Sequence, residues 1–222
     1  MFHFNSVREW KDYCFKSHKL YLKNKHFKNW INEKEIAIFN LSNMGNKDIK
    51  HIRLGVEDAI RTARLHFRLY YGNGSAFRKI IGSQNKKIDS RKLLRMVIEK
   101  RRHDKTEQAG IIVINNPIKS SNVVIKDGEA LTYVPEGVMI FSFDALKKYP
   151  RNFLKRRAKH EALHLLGLNS HHEDTIVEGY NYGSHCTMEY NAPTGRLCGK
   201  CRDALVNFWK GLQNATKKHL IE

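Results

Sequence analysis

The run His160-Glu161-Ala162-Leu163-His164-Leu165-Leu166-Gly167-Leu168-Asn169-Ser170-His171 constrains this chain more than any other stretch. Its leucines and alanine suit a buried helix, and histidines four apart share one helical face, so both imidazoles can reach a single ion. A buried helix carrying two histidines and a glutamate on nearly one face loses stability unless those groups are paired or metal-bound. Glu161 stands beside the first histidine, where a carboxylate can hold and deprotonate a metal-activated water. Gly167 can adopt the left-handed conformation that stops a helix and turns the chain, and beyond the turn His171 can return as a third ligand. Ligands, base and turn in so short a stretch point to metal-assisted hydrolysis.

The rest of the chain narrows the setting. Its 222 residues, 41% of them hydrophobic and 28% charged, suffice for one large globular domain with a real core. Met1 to Trp30 is polar and lysine-rich without the apolar segment of a secretory signal, and no run is apolar enough for a membrane span. A cytoplasmic location is therefore expected. Three of the four cysteines, Cys186, Cys198 and Cys201, crowd into the last quarter, which in such a setting favours metal over disulfides. Cys14 lies far from them and reads as a free thiol.

The formal net charge of +18 is compatible with nucleic acid or another anionic partner, since clustered lysines and arginines attract such partners at long range. Lysine and asparagine are abundant throughout, however, and composition accounts for the charge equally well. Aromatics interleave with the basic run Lys16 to Lys28, but helical spacing better suits Trp10, Tyr13, Leu20 and Trp30 turned inward.

Alternating elements are readable along the chain. Glu35 to Leu41 reads as a short apolar strand, Gly55 to Phe67 as a helix and Arg68 to Tyr71 as a strand ended by the cluster from Gly72. Ser90 is expected to cap a helix with Leu93, Leu94, Met96, Val97 and Ile98 on its apolar face, followed by a loop from Arg102 to Gln108. Gly110 to Ile114 reads as a buried strand, and Glu129 to Thr132 with Gly137 to Phe143 as strands or a hairpin. Asn152 is expected to cap the metal helix, and a final helix to run from about Cys201 to Leu220. The strand near Gly137 to Phe143 is a candidate edge for pairing an extended peptide.

Downstream of the metal helix come Cys186-Thr187-Met188 and Cys198-Gly199-Lys200-Cys201, in that order. With these residues the chain resembles an archaemetzincin, a branch of the metzincin zinc peptidases, from roughly Glu35 to the C-terminus. The resemblance implies an α/β (α+β) zincin-like fold: a mixed twisted sheet with packed helices and an irregular lower part ending in a C-terminal helix. Residues 1–33 would be a basic N-terminal extension, and 34–222 a catalytic domain with a second zinc site near 172–201. His160, His164 and His171 would hold a catalytic zinc, Glu161 would be the general base and Met188 would form an apolar methionine turn beneath the imidazoles. The family places its third histidine ten residues after the first, whereas His171 follows His160 by eleven. The family's cysteine after that histidine is replaced by His172, so a second, structural zinc would be held by His172, Cys186, Cys198 and Cys201, with His185 competing for the fourth place.

Tyr190 lies two residues after Met188, where other metzincins carry a tyrosine beside the zinc. It would donate to a developing oxyanion, or serve only as a packed aromatic. The function expected is a zinc-dependent, monomeric peptidase acting on peptides or proteins. The alternative is a zinc-stabilised protein without turnover that binds nucleic acid or another acidic partner through its basic surface.

Overall fold

The computed structural model describes residues 1–74, 77, 87–104, 106–119, 129–168, 170–180, 185–189 and 194–218. In chain order the elements are β1 (Phe2–Phe4), α1 (Val7–Lys16), α2 (Lys19–Leu22), α3 (Lys25–Glu33), β2 (Glu35–Asn40), α4 (Asn46–Thr62), β3 (Arg68–Tyr71) and β4 (Ile88–Asp89). There follow α5 (Ser90–Asp104), β5 (Ala109–Ile114), β6 (Ile118–Lys119), β7 (Ala130–Tyr133), β8 (Val138–Ser142), α6 (Phe143–Leu146) and α7 (Arg151–Leu165). A 3₁₀ turn (His172–Asp174), β9 (Thr175–Val177) and α8 (Gly199–Thr216) complete them.

Among the described residues, the main sheet has five strands in the order β3-β2-β5-β8-β7. Its first four strands run parallel, and β7 closes the edge antiparallel to β8. The central strands are near-continuous apolar runs because helices cover both faces. Alternation along each strand divides the side chains between two layers. Ile36, Ile38, Ile111, Val113, Met139 and Phe141 share a core with α4 and α7, while Ile112, Ile114, Val138 and Ile140 pack with Leu93 and Val97 of α5.

Helices α4 and α7 lie against each other, and Gly55 permits the close approach: a Cβ there would stand 2.2 Å from the Lys155 carbonyl oxygen. The N-terminal residues share this core. Trp10, Cys14, Phe27, Trp30 and Ile31 are buried in it, α1 packs on α8, and β1 pairs in parallel with β9. Lys34 ends α3 in the left-handed conformation immediately before β2. None of the four cysteines forms a disulfide, and Cys14 is buried within α1. No helix among the described residues is long and apolar enough to cross a membrane.

Several local expectations are corrected. Tyr13 and Leu20 are 39% and 67% exposed: the inward stripe of α1 is Trp10 and Cys14, Tyr13 lies beside it against Phe4, and α2 is a single short turn. The fourth helix begins at Asn46, earlier than Gly55. The cap of α5 is Asp89, whose carboxylate accepts from the Arg91 and Lys92 amides, while Ser90 is buried and accepts from the Tyr133 hydroxyl at 2.9 Å. This helix also continues to Asp104 through part of the expected loop. Pro150 precedes the first turn of α7 and leaves Asn152 inside the helix. Finally, β8 is interior, hydrogen-bonded on both sides; among the described residues the outer strand of this hairpin is β7.

Candidate metal centre

Helix α7 carries His160 and Glu161 buried and His164 half-buried. It ends in a Schellman turn: the Gly167 amide donates to the His164 carbonyl at 2.9 Å and the Leu168 amide to the Leu163 carbonyl at 2.9 Å. Gly167 sits at φ +107°, and an added Cβ would meet the Phe208 ring at 2.6 Å. Trp209 of α8 braces the same end through its indole N–H to the Leu166 carbonyl at 2.7 Å. The chain then brings His171 back over the helix. Ring centroids of the three imidazoles are separated by 4.8, 5.2 and 5.0 Å, and one ring nitrogen from each lies within 4.8 Å of the others.

The tautomers are decided by partners that can only accept. Nδ1 of His160 lies 2.6 Å from the Thr187 carbonyl oxygen and Nδ1 of His164 lies 2.5 Å from that of Leu168, so each Nδ1 carries the proton. Both Nε2 atoms are then bare lone pairs in the neutral rings, yet they face each other at 3.2 Å. Two lone pairs so placed repel unless a cation lies between them. Tetrahedral zinc with nitrogen ligands has edges of about 3.3 Å, so the histidine triad fits that ion, and the backbone partners are those that orient ligating imidazoles.

His160 and His171 are held neutral. Burial carries His160 down to about 3, reinforced by His164, and burial with the His164 charge also lowers His171. An unfolded histidine titrates near 6.5, so on acidification the unfolded chain binds this proton first and the metal-free fold loses stability from about pH 6.5 toward 3. Urea denaturation of chelator-treated protein is expected to show about 2 kcal/mol less stability at pH 5 than at pH 7 from His160, and His160→Asn to flatten that slope.

Glu161 is buried between two partners. The Thr132 hydroxyl of β7 donates to its Oε2 at 2.7 Å, and Arg157 Nη2 lies 3.3 Å from its Oε1. Burial alone would raise its carboxyl pKa, but Arg157, the two histidines and Thr132 together bring it below the usual range. Arg157 also stands 3.9 Å from Glu129. The Arg157 partner sits one helical turn before Glu161 and was open to a reading at i,i+4 spacing. Thr132 gave no such signal, because only the sheet brings β7 to α7.

A second cluster lies alongside. Sγ of Cys186, Cys198 and Cys201 and a ring nitrogen of His172 all fall within 4.8 Å of one another. His172 Nδ1 is 3.3 Å from Cys198 Sγ and 3.7 Å from Cys201 Sγ, close to the roughly 3.6 Å edges of a tetrahedral zinc site. The Cys201 amide donates to Cys198 Sγ at 3.5 Å and the Cys198 amide to Cys186 Sγ at 3.4 Å. Hydrogen bonds from the Cys186 and Cys201 thiols draw Cys198 down to about 3, and the same exchange pushes Cys201 up. His185 is exposed and stands outside the cluster. Met188 is fully buried, and its carbonyl accepts from the His172 amide at 2.9 Å. Tyr190 lies outside the described residues.

The sequence matches no protein-family model and no curated protein. Solved structures do match. A zinc-dependent peptidase from Methanocorpusculum labreanum superposes over 77% of this chain and 99% of its own, with a TM-score of 0.51 at 18% identity. The archaemetzincin of Methanopyrus kandleri superposes over 81% of this chain and 95% of its own, with a TM-score of 0.50 at 14% identity. The fold is archaemetzincin-like. At these identities the likeness is one of fold.

Proposed function

We propose that this chain is a zinc-dependent peptidase, with one zinc on His160, His164 and His171 and a second on His172, Cys186, Cys198 and Cys201. The observation that carries the reading is the pair of Nε2 atoms facing each other at 3.2 Å, each ring with its Nδ1 on a backbone carbonyl, beside a buried carboxylate. When bound, zinc would supply Lewis acidity toward the scissile carbonyl and lower the pKa of a water. Glu161 takes that water's proton and returns it to the departing amine. Thr132 and Arg157 hold the carboxylate ionised and fix its orientation. An extended peptide adds to the outer edge of β7, the last strand of the sheet, which lies against α7 next to Glu161. Met188 provides an apolar floor, and Tyr190 donates to the developing oxyanion.

The test is direct. Purified protein is incubated with a peptide mixture of broad sequence, and new termini are read by mass spectrometry in ¹⁸O-water. Cleavage that stops on chelation and returns with zinc is expected. Fully metallated protein that generates no new termini would sink the peptidase reading.

A further inference from the structure

Lys200 is a lysine where lysines are rarely found. It lies between Cys198 and Cys201 in the first turn of α8 and is 1% exposed. Its ammonium donates to the carbonyl oxygens of His172 at 2.8 Å and Thr175 at 2.6 Å. Those carbonyls stand at the two ends of the 3₁₀ turn His172–Asp174, which begins immediately after His171. The His172 amide is fixed on its other side to Met188. One buried cation thus closes the segment in which a ligand of each metal site is anchored.

We propose that Lys200 is a positioning residue that couples the two metal sites. Two observations combine. The first is charge: three thiolates and a neutral imidazole around a divalent zinc leave one net negative charge, and Lys200 supplies one positive charge inside the same buried cluster, where an uncompensated ion is costly. The second is geometry: the same ammonium fastens the backbone at His172 and Thr175, so the direction in which His171 leaves the turn depends on it. Holding metal at the cysteine cluster therefore fixes α8 against the turn, and Lys200 passes that constraint to His171. The proposal rests on two zinc sites as assigned above, but its readouts do not depend on peptide cleavage.

The experiment compares wild type with Lys200→Met, which keeps the aliphatic stem and removes the charge and donors, and with Lys200→Gln, which keeps donors without charge. Each protein is loaded with cobalt(II), so that loss of sulfur-to-metal charge transfer reports the cysteine site, and total metal released less that loss reports the histidine site. Metal release to a chelator is then followed at each site. Residues that orient metal ligands through hydrogen bonds are worth about 10–100-fold in affinity. Lys200→Met is expected to speed release at both sites by about that factor, although no ligand is altered, and Lys200→Gln to restore the histidine site more than the cysteine site. Release at wild-type rates from both sites, or a loosened cysteine site beside an unchanged histidine site, overturns the proposal. So does failure of both variants to fold with metal present, which would make Lys200 a requirement of the fold. Metal coupling in a protein that cleaves no peptide would uphold the proposal while removing the peptidase reading.

Discussion

Glu161→Gln is expected to lower the rate of peptide cleavage by about 10²–10⁴-fold while both metals stay bound, because the amide cannot accept the water's proton. The substitution is nearly isosteric. The glutamine side-chain oxygen can still accept from Thr132, whose hydroxyl stands 2.7 Å from Glu161 Oε2. It removes the negative charge opposite Arg157, so the guanidinium at 3.3 Å loses part of its partner and leans more on Glu129. That change leaves the imidazoles untouched, since their Nδ1 atoms are held by the Thr187 and Leu168 carbonyls. Steady-state kinetics and metal analysis on one preparation separate the outcomes. A fall in kcat at unchanged metal content and similar KM is expected. Full activity would exclude Glu161 as the base, and joint loss of metal and activity would make it a structural partner of the histidines.

The metal helix and the central strands were legible because each announces itself locally. His160, Glu161 and His164 need only helical spacing, and Ile111 to Ile114 needs only an apolar run flanked by polar segments. Groups supplied by tertiary approach were not legible. Thr132 reaches Glu161 from a strand 29 positions earlier, and Lys200 reads as an ordinary polar residue between two cysteines until the turn at His172 folds over it. The peptide edge was misplaced for the same reason. A hairpin of β7 and β8 is visible in the sequence, but which strand faces outward depends on β5 pairing with β8. The cap of α5 shows a finer limit: Asp89 and Ser90 are both good capping residues, and the demand of Tyr133 for a buried partner takes Ser90 away from that role. The extra residue before His171 could not be weighed from spacing, because a third ligand beyond the helix depends on the path of the turn rather than on helical phase.

Gly55→Ala is expected to destabilise the protein by about 3 kcal/mol, the upper end of the cost of overpacking, and to disturb the metal centre from a distance. The added Cβ would lie 2.2 Å from the Lys155 carbonyl oxygen, 2.8 Å from Ala158 Cβ and 3.0 Å from the Lys159 amide nitrogen. Two of these neighbours are backbone of α7, so a rotamer change cannot make room and the helices must separate. Separation displaces the first turns of α7 relative to the sheet, while Trp209 and the Schellman turn hold its last turn in place. The strain then falls on the middle of the helix, at His160 and Glu161. It also falls on Lys159, whose ammonium bridges Asp58 of α4 at 3.1 Å and the Gly195 carbonyl at 2.8 Å. Gly195→Ala is the matched control, because its Cβ would meet nothing nearer than Arg156 Cγ at 3.7 Å, an ordinary contact. Urea denaturation of both variants measures the difference, and metal release from the histidine site shows whether the strain reaches His160. Equal stability of the two variants would mean that α4 and α7 yield at their crossing without loss, and that the close approach at Gly55 does not position the metal helix.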